Sequence, residues 1–160
     1  MQRRIMIIGT ALLGVVPLAS TSVRAAAETV ANRFAQTLNE HDLNAFAALF
    51  DDDYVNHQLS AAARPQGGVA PKVASVAFFG ARLKALPDLT VTIEAMVAQD
   101  DRVAASFVYE GTHQAAYFGI APTGRRLRFT SCDIFRVADG RIVEHWGMGD
   151  IAGILAQLKG

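Results

Sequence analysis

The chain is 160 residues long, 51% hydrophobic and formally neutral, with 15 basic and 15 acidic side chains. That size and apolar content suit one domain with its own core and exclude a disordered segment. The charge balance gives no sign of a nucleic-acid surface, and a single cysteine, Cys132, excludes an internal disulfide.

In chain order, Arg3 and Arg4 come before a nearly unbroken apolar run from Ile5 to Ala19. Small residues follow as far as Ala27. This is the layout of a cleaved secretory signal over residues 1–25, which implies a periplasmic or secreted protein. An uncleaved membrane anchor is the competing reading, but the run is short against the roughly 20 residues a spanning helix needs. Cleavage near Ala25 removes Arg3, Arg4 and Arg24 and leaves a net charge of about −3. No membrane association is expected after that cleavage, and Arg3-Arg4 alone does not decide between the general and twin-arginine routes.

The expected domain covers residues 28–160. Val30, Phe34 and Leu38 recur at four-residue spacing, which predicts a helix from about Glu28 to Glu40. Asp42 is placed to cap a short second helix carrying Leu43, Phe46, Leu49 and Phe50. "DDDYVNHQ" reads as a charged turn into an extended piece, and "SAAARPQGG" as a loop. Pro71 suits the first turn of a third helix, whose apolar stripe is Val73, Val76, Gly80, Leu83 and Leu86 and which Pro87 stops. The second half reads as strands. In "LTVTIEAMVAQ", Leu89, Val91, Ile93, Ala95 and Val97 share one face. "RVAASFVYEGTH", "RLRFTSCDIFRV" and "RIVEHWGM" are three further strands, with "QAAYFGIAPTGR" a long loop between the first two of them. "DIAGILAQLKG" closes the chain as a tail helix or turn. Helices followed by an antiparallel meander give an α+β class.

Asp139-Gly140 closes the last hairpin in one of two ways. A two-residue loop sets Ala138 opposite Arg141 and Asp133 opposite Trp146. A three-residue loop, the preferred reading, sets Val137 opposite Arg141 and Asp133 opposite His145. One face then carries Leu127, Phe129, Ser131, Asp133, Phe135, Val137, Val143, His145 and Gly147. The other carries Arg126, Arg128, Cys132, Ile134, Arg136, Ile142, Glu144, Trp146 and Met148. Apolar walls around one acid, one histidine and one serine are what a ligand cavity requires. The mixed second face suits a partner subunit.

The segments "DDDYVNH", "YEGTHQAAYFGIAPTGRR" and "FRVADGRIVEHWGMGDIAGILAQL", in this order, resemble the SnoaL-like polyketide cyclases of the nuclear-transport-factor-2-like superfamily, many of which carry the label ester cyclase. The resemblance covers about Val30 to Leu158. It implies a cone of helices on a curved antiparallel sheet around an apolar pocket. It also implies cofactor-free enolisation of a hydrophobic carbonyl or ester substrate, ending in aldol cyclisation or isomerisation, while the mixed second face is where a homodimer is expected to pair. Carried over residue by residue, the family's pocket asparagine matches Asn56, with Tyr54 on the same side. Its third-strand pocket residue matches Asp133, and its catalytic aspartate falls on Gly147. The chain departs from the pattern there, so the base has to come from elsewhere.

Asp133 with His145 is the candidate acid–base pair, since an acid can orient an imidazole that moves protons. Tyr54 and Asn56 are candidate hydrogen bonders to a substrate oxygen. Phe107, Phe129 and Phe135 are candidate apolar walls. The competing reading makes Asp133–His145 a structural ion pair. His57 and His113 read as loop anchors, Trp146 as a packing or dimer residue, and Cys132 as a buried inert thiol. His41, His57, His113 and His145 show no metal spacing, so neither a metal nor a cofactor is expected. "GIAPTGRR" lacks the ending of a phosphate loop, and Ser131 lacks the elbow of a hydrolase nucleophile. A carbonyl-enolising enzyme, a non-catalytic binder of a hydrophobic small molecule and a dimerising interaction module all remain open.

Overall fold

The structure is a computed structural model that describes residues 18–57 and 68–160. The element order is α1 (Leu18–Asn39), α2 (Leu43–Ala48), β1 (Phe50–Asn56), α3 (Pro71–Ala85), β2 (Thr90–Gln99), β3 (Arg102–Thr112), β4 (Arg126–Ala138), β5 (Arg141–Gly149) and α4 (Ile151–Lys159). Residues 1–17, most of the expected signal, and all of "SAAARPQGG" but Gly68, lie outside the described residues.

The α+β class holds. One sheet runs in the order β1-β5-β4-β3-β2, with β1 parallel to β5 and the other pairs antiparallel. Helix α1 lies across it, and Phe34 is the pivot of the core. Its ring centroid is 5.1–5.3 Å from those of Phe46, Phe79, Phe107 and Phe135. Each such pair adds about 0.5–1.5 kcal/mol beyond simple burial.

The helix ends follow local chemistry. α1 begins at Leu18, ten residues before the expected start, but nothing from Thr21 to Ala25 is buried. It ends where His41 takes a left-handed φ of 55°. Asn39 there clasps the start of β2, donating to Val91 O at 2.9 Å and accepting from Val91 N at 2.6 Å. The Asp42 carboxylate caps α2 by accepting Ala45 N–H at 2.8 Å. Asp150 caps α4 in the same way through Gly153 N–H, also at 2.8 Å. Both groups satisfy donors that a first helical turn leaves unpaired.

Several expected faces are corrected. α3 buries Ser75, Phe79, Arg82 and Ala85, while Val73 is exposed. A stripe led by Phe79 wins over the all-aliphatic one because the aromatic ring reaches Phe34 and Phe46. In β2 a bulge at Glu94 separates the pair Ile93–Phe107 from the pair Ala95–Ser106. The alternation inverts there, so Met96 packs on the core and Val97 is 72% exposed. Cys132 is exposed on the outer face rather than buried.

The last hairpin overturns the expected three-residue loop. Ala138 faces Arg141 across a two-residue turn in which Asp139 (φ 49°) and Gly140 (φ 72°) are both left-handed. That is the geometry whose twist matches a hairpin. A bulge at Val143 follows, and beyond it Arg136 faces Glu144, Phe135 faces His145 and Asp133 faces Gly147. The bulge adds one residue and so restores the face a three-residue loop would have set. Only the residues before it change sides: Ile142 is fully buried and Val143 is half-buried.

Candidate functional site

The middle of β4 and β5 presents a buried polar chain to the helices. Asp133 and His145 are each 4% exposed. Each stands diagonal to the other across the hairpin rather than directly opposite. His145 Nε2 lies 2.7 Å from Asp133 Oδ1, and His145 Nδ1 lies 3.0 Å from Tyr54 Oη. Ser131 Oγ donates to Asp133 Oδ2 at 2.5 Å and lies 3.4 Å from Tyr109 Oη. With Asp133 ionised and His145 neutral, every bond has one proton: Nε2–H donates to Asp133, and the Tyr54 hydroxyl donates to Nδ1. Phe135, 5.1 Å from the imidazole centroid, and Phe50, 5.0 Å from that of Tyr54, close the apolar surround.

β1 brings Tyr54 and Asn56 to this chain by its parallel pairing, which sets Asn56 beside His145. Ser75 of α3 meets both, 3.4 Å from Tyr54 Oη and 3.4 Å from Asn56 Nδ2. Burial, and then the charge of Asp133, pushes the Tyr54 phenol well above its ordinary value. Tyr109 is raised by the same two causes in the same order. Both are therefore neutral hydroxyl donors at ordinary pH.

Gly147 explains how the pair fits. A Cβ at this position would lie 2.5 Å from Asp133 Oδ1 and 2.6 Å from His145 Nε2. No side chain of any kind fits there while the pair is hydrogen bonded. Asp133 Oδ1, from β4, lies in the space that a side chain at position 147 on β5 would enter.

Of the expected aromatic walls, Phe135 touches the imidazole, and Phe129 stacks on Tyr109 with centroids 5.1 Å apart. Phe107 sits deeper, in the cluster around Phe34. His57 lies on the outer face, 2.8 Å from Glu144 and stacked 4.4 Å from Trp146. His113 is fully buried, and its Nδ1 accepts Thr123 N–H at 3.1 Å. Among the described residues, no group of three or more His, Cys, Asp or Glu is placed to hold a metal ion.

The sequence reading passed over Arg82 and Tyr117. Arg82 is 3% exposed, and its Nε donates to Tyr117 Oη at 3.0 Å. The helical spacing of Ser75, Phe79, Arg82 and Leu86 carried that signal, but it competed with an all-apolar stripe one position away. Tyr117 is turned inward by a tight turn whose Phe118 (φ 48°) and Gly119 (φ 75°) are both left-handed.

A family model described as SnoaL-like polyketide cyclase matches residues 28–158. Among solved structures, the chain is similar to AclR of Streptomyces galilaeus, assigned as a hydroxylase. The two share 26% identity and a TM-score of 0.74, over 85% of this chain and 97% of that one. It is 31% identical to IdmH of Streptomyces antibioticus, assigned as a polyketide cyclase, with a TM-score of 0.71 over 84% and 99% of the two chains. A SnoaL-like protein of Jannaschia sp. CCS1 shares the fold at 14% identity and a TM-score of 0.72, over 86% and 94% of the two chains. No curated protein matches the chain.

Proposed function

Because the chain belongs to the SnoaL-like polyketide cyclase family, which supports a cyclase- or isomerase-like role, we propose that Asp133 with His145 enolises a hydrophobic carbonyl substrate. The observation that carries this reading is the buried chain from Tyr54 through His145 to Asp133. The Asp133 carboxylate removes a proton α to the carbonyl, and His145 holds and polarises it through Nε2–H. The amide of Asn56 stands beside it as a donor to the enolate oxygen, and the hydroxyl of Tyr54, held neutral by burial, fixes the imidazole by donating to Nδ1. The proton on Asp133 then passes to the alkoxide formed when the enolate carbon attacks a second carbonyl, or to another carbon in an isomerisation. Both cycles end with Asp133 ionised again.

The test is deuterium incorporation into the methyl group of 2-acetonaphthone in D2O, followed by proton NMR. Wild-type protein should accelerate exchange, and Asp133→Asn should lose about 10²–10⁴-fold, the usual contribution of a positioned acid–base group. An unchanged rate in Asp133→Asn would end this assignment.

A second reading, a non-catalytic binder of a hydrophobic small molecule, is favoured by one fact: both nitrogens of His145 are already satisfied within the protein. It predicts no acceleration by wild-type protein and a ligand retained through native purification. Export is part of the proposal. Arg3-Arg4, the apolar run and the absence of any buried residue from Thr21 to Ala25 support removal of residues 1–25. The mass of the protein from the host's periplasmic or culture fraction tests this, and an intact N-terminus there overturns it.

A further inference from the structure

Arg82 is a costly residue in the interior that the acid–base pair does not use. It is almost wholly buried. An arginine cannot shed its charge, and an unpaired buried charge is unfavourable. Yet no described carboxylate comes within ion-pair range of it. Asp133 acts on it only through space and is already bonded to His145 and Ser131. What surrounds the guanidinium is aromatic. Its central carbon lies 5.0 Å from the ring centroid of Phe78, 4.9 Å from Phe79, 4.6 Å from Tyr109 and 5.1 Å from Phe129. Such faces offset part of the cost of burial, and they leave the N–H groups unspent.

A guanidinium has five N–H donors. Nε–H is used by Tyr117 Oη, and the described residues supply no acceptor for Nη1 or Nη2. A leucine or methionine would fill this position on α3 without any such penalty. A planar fork whose Nη1 and Nη2 meet no acceptor among the described residues, set among aromatic faces, is the arrangement that binds a carboxylate bidentately.

We propose that Arg82 is an anion-binding residue of this site, and that the ligand is a carboxylic acid with a flat apolar body. The location agrees with the acid–base chain. Tyr109, whose ring lies nearest Arg82, also reaches Ser131, which bonds Asp133. The ligand's carboxylate would thus be held a short distance from the proton-transfer pair. This proposal takes the reacting end of the ligand from the proposed function, but binding at Arg82 does not require any turnover.

The experiment is isothermal titration calorimetry of the mature protein with 2-naphthoate and with its neutral isostere 2-naphthamide at one ionic strength. Wild-type protein should bind the acid at least tenfold more tightly than the amide. Arg82→Met should erase that ratio. Should Arg82→Met fail to fold, Arg82→Lys decides: it keeps the charge without the fork and should retain the preference at a reduced ratio. Equal affinity for acid and amide in wild type, no binding of either, or an unchanged ratio in both Arg82 variants overturns the proposal. Asp133→Asn separates it from the proposed function. That variant should lose deuterium exchange while its preference for naphthoate stays or rises. Exchange that survives in Asp133→Asn removes the acid–base reading alone. A missing preference beside Asp133-dependent exchange removes the Arg82 reading alone.

Discussion

The hydrogen that stands in place of a side chain at Gly147 is what lets Asp133 and His145 meet. Gly147→Ala should push the two apart. If the pair moves protons, that variant should lose roughly 100-fold or more in exchange of 2-acetonaphthone, while overpacking costs only about 1–3 kcal/mol in urea unfolding. A variant that keeps the full rate would show that the hydrogen bond between them is not needed. Tyr54→Phe acts on the other nitrogen of the same ring. It leaves a buried Nδ1 with no donor, which should cost about 1–3 kcal/mol by the same measurement.

Among the elements, the last hairpin shows how closely register and site are tied. Gly140 is left-handed with open space around it, so Gly140→Ala meets no clash and should lose only about 1 kcal/mol from backbone strain. A thermal melt of that variant, with its exchange rate unchanged, would show that the turn is separable from the site. Phe34→Ala, at the centre of the ring cluster, should cost about 3–5 kcal/mol. Most of these elements were legible in the sequence, since four-residue and two-residue spacings mark them. Asp133 and His145 were legible on one face because the bulge at Val143 cancels the one-residue error in the turn. The exchange of Ile142 with Val143, and of Met96 with Val97, was not legible, because nothing in a run of apolar letters marks a bulge. Arg82 was missed for another reason. A charged residue on a helix is read as solvent-facing unless the aromatic faces that receive it, here from β3, β4 and α3 itself, are already known.

For the whole molecule, charge sets the pH range of the fold. Glu144 is held below its ordinary value of 4.5 by the hydrogen bond from His57 and then by that from Arg136. Asp88 is held below 3.8 chiefly by the backbone and side chain of Thr112. A depressed carboxyl stabilises the fold above its unfolded value and loses that contribution as pH falls through the folded one. The melting temperature should therefore drop below about pH 4.5, and Glu144→Gln should flatten that acid limb. At the alkaline end the sign is opposite. Tyr54 and Tyr109, raised by burial, stabilise the fold fully below their ordinary value of 10.0 and lose that contribution as pH rises beyond it. Tyr109→Phe should shift the alkaline unfolding midpoint upward, and an unmoved midpoint would show that its hydroxyl does not limit the fold there.

The parallel pairing of β1 with β5 also has a consequence in time. Tyr54 and His145 are 91 residues apart in sequence, and the strands between them must be laid down before the two can bond. Such long-range pairings form late, because the loop they close is entropically costly until its interior has collapsed. During synthesis the chain can build α1, α2, β1 and α3 and hold none of the hydrogen bonds between Tyr54, His145 and Asp133. The site comes into being only when the penultimate element arrives and slots between β1 and β4. Folding completes the Tyr54–His145–Asp133 chain from the C-terminal side, and a chain interrupted before β5 lacks it however much of its core is packed.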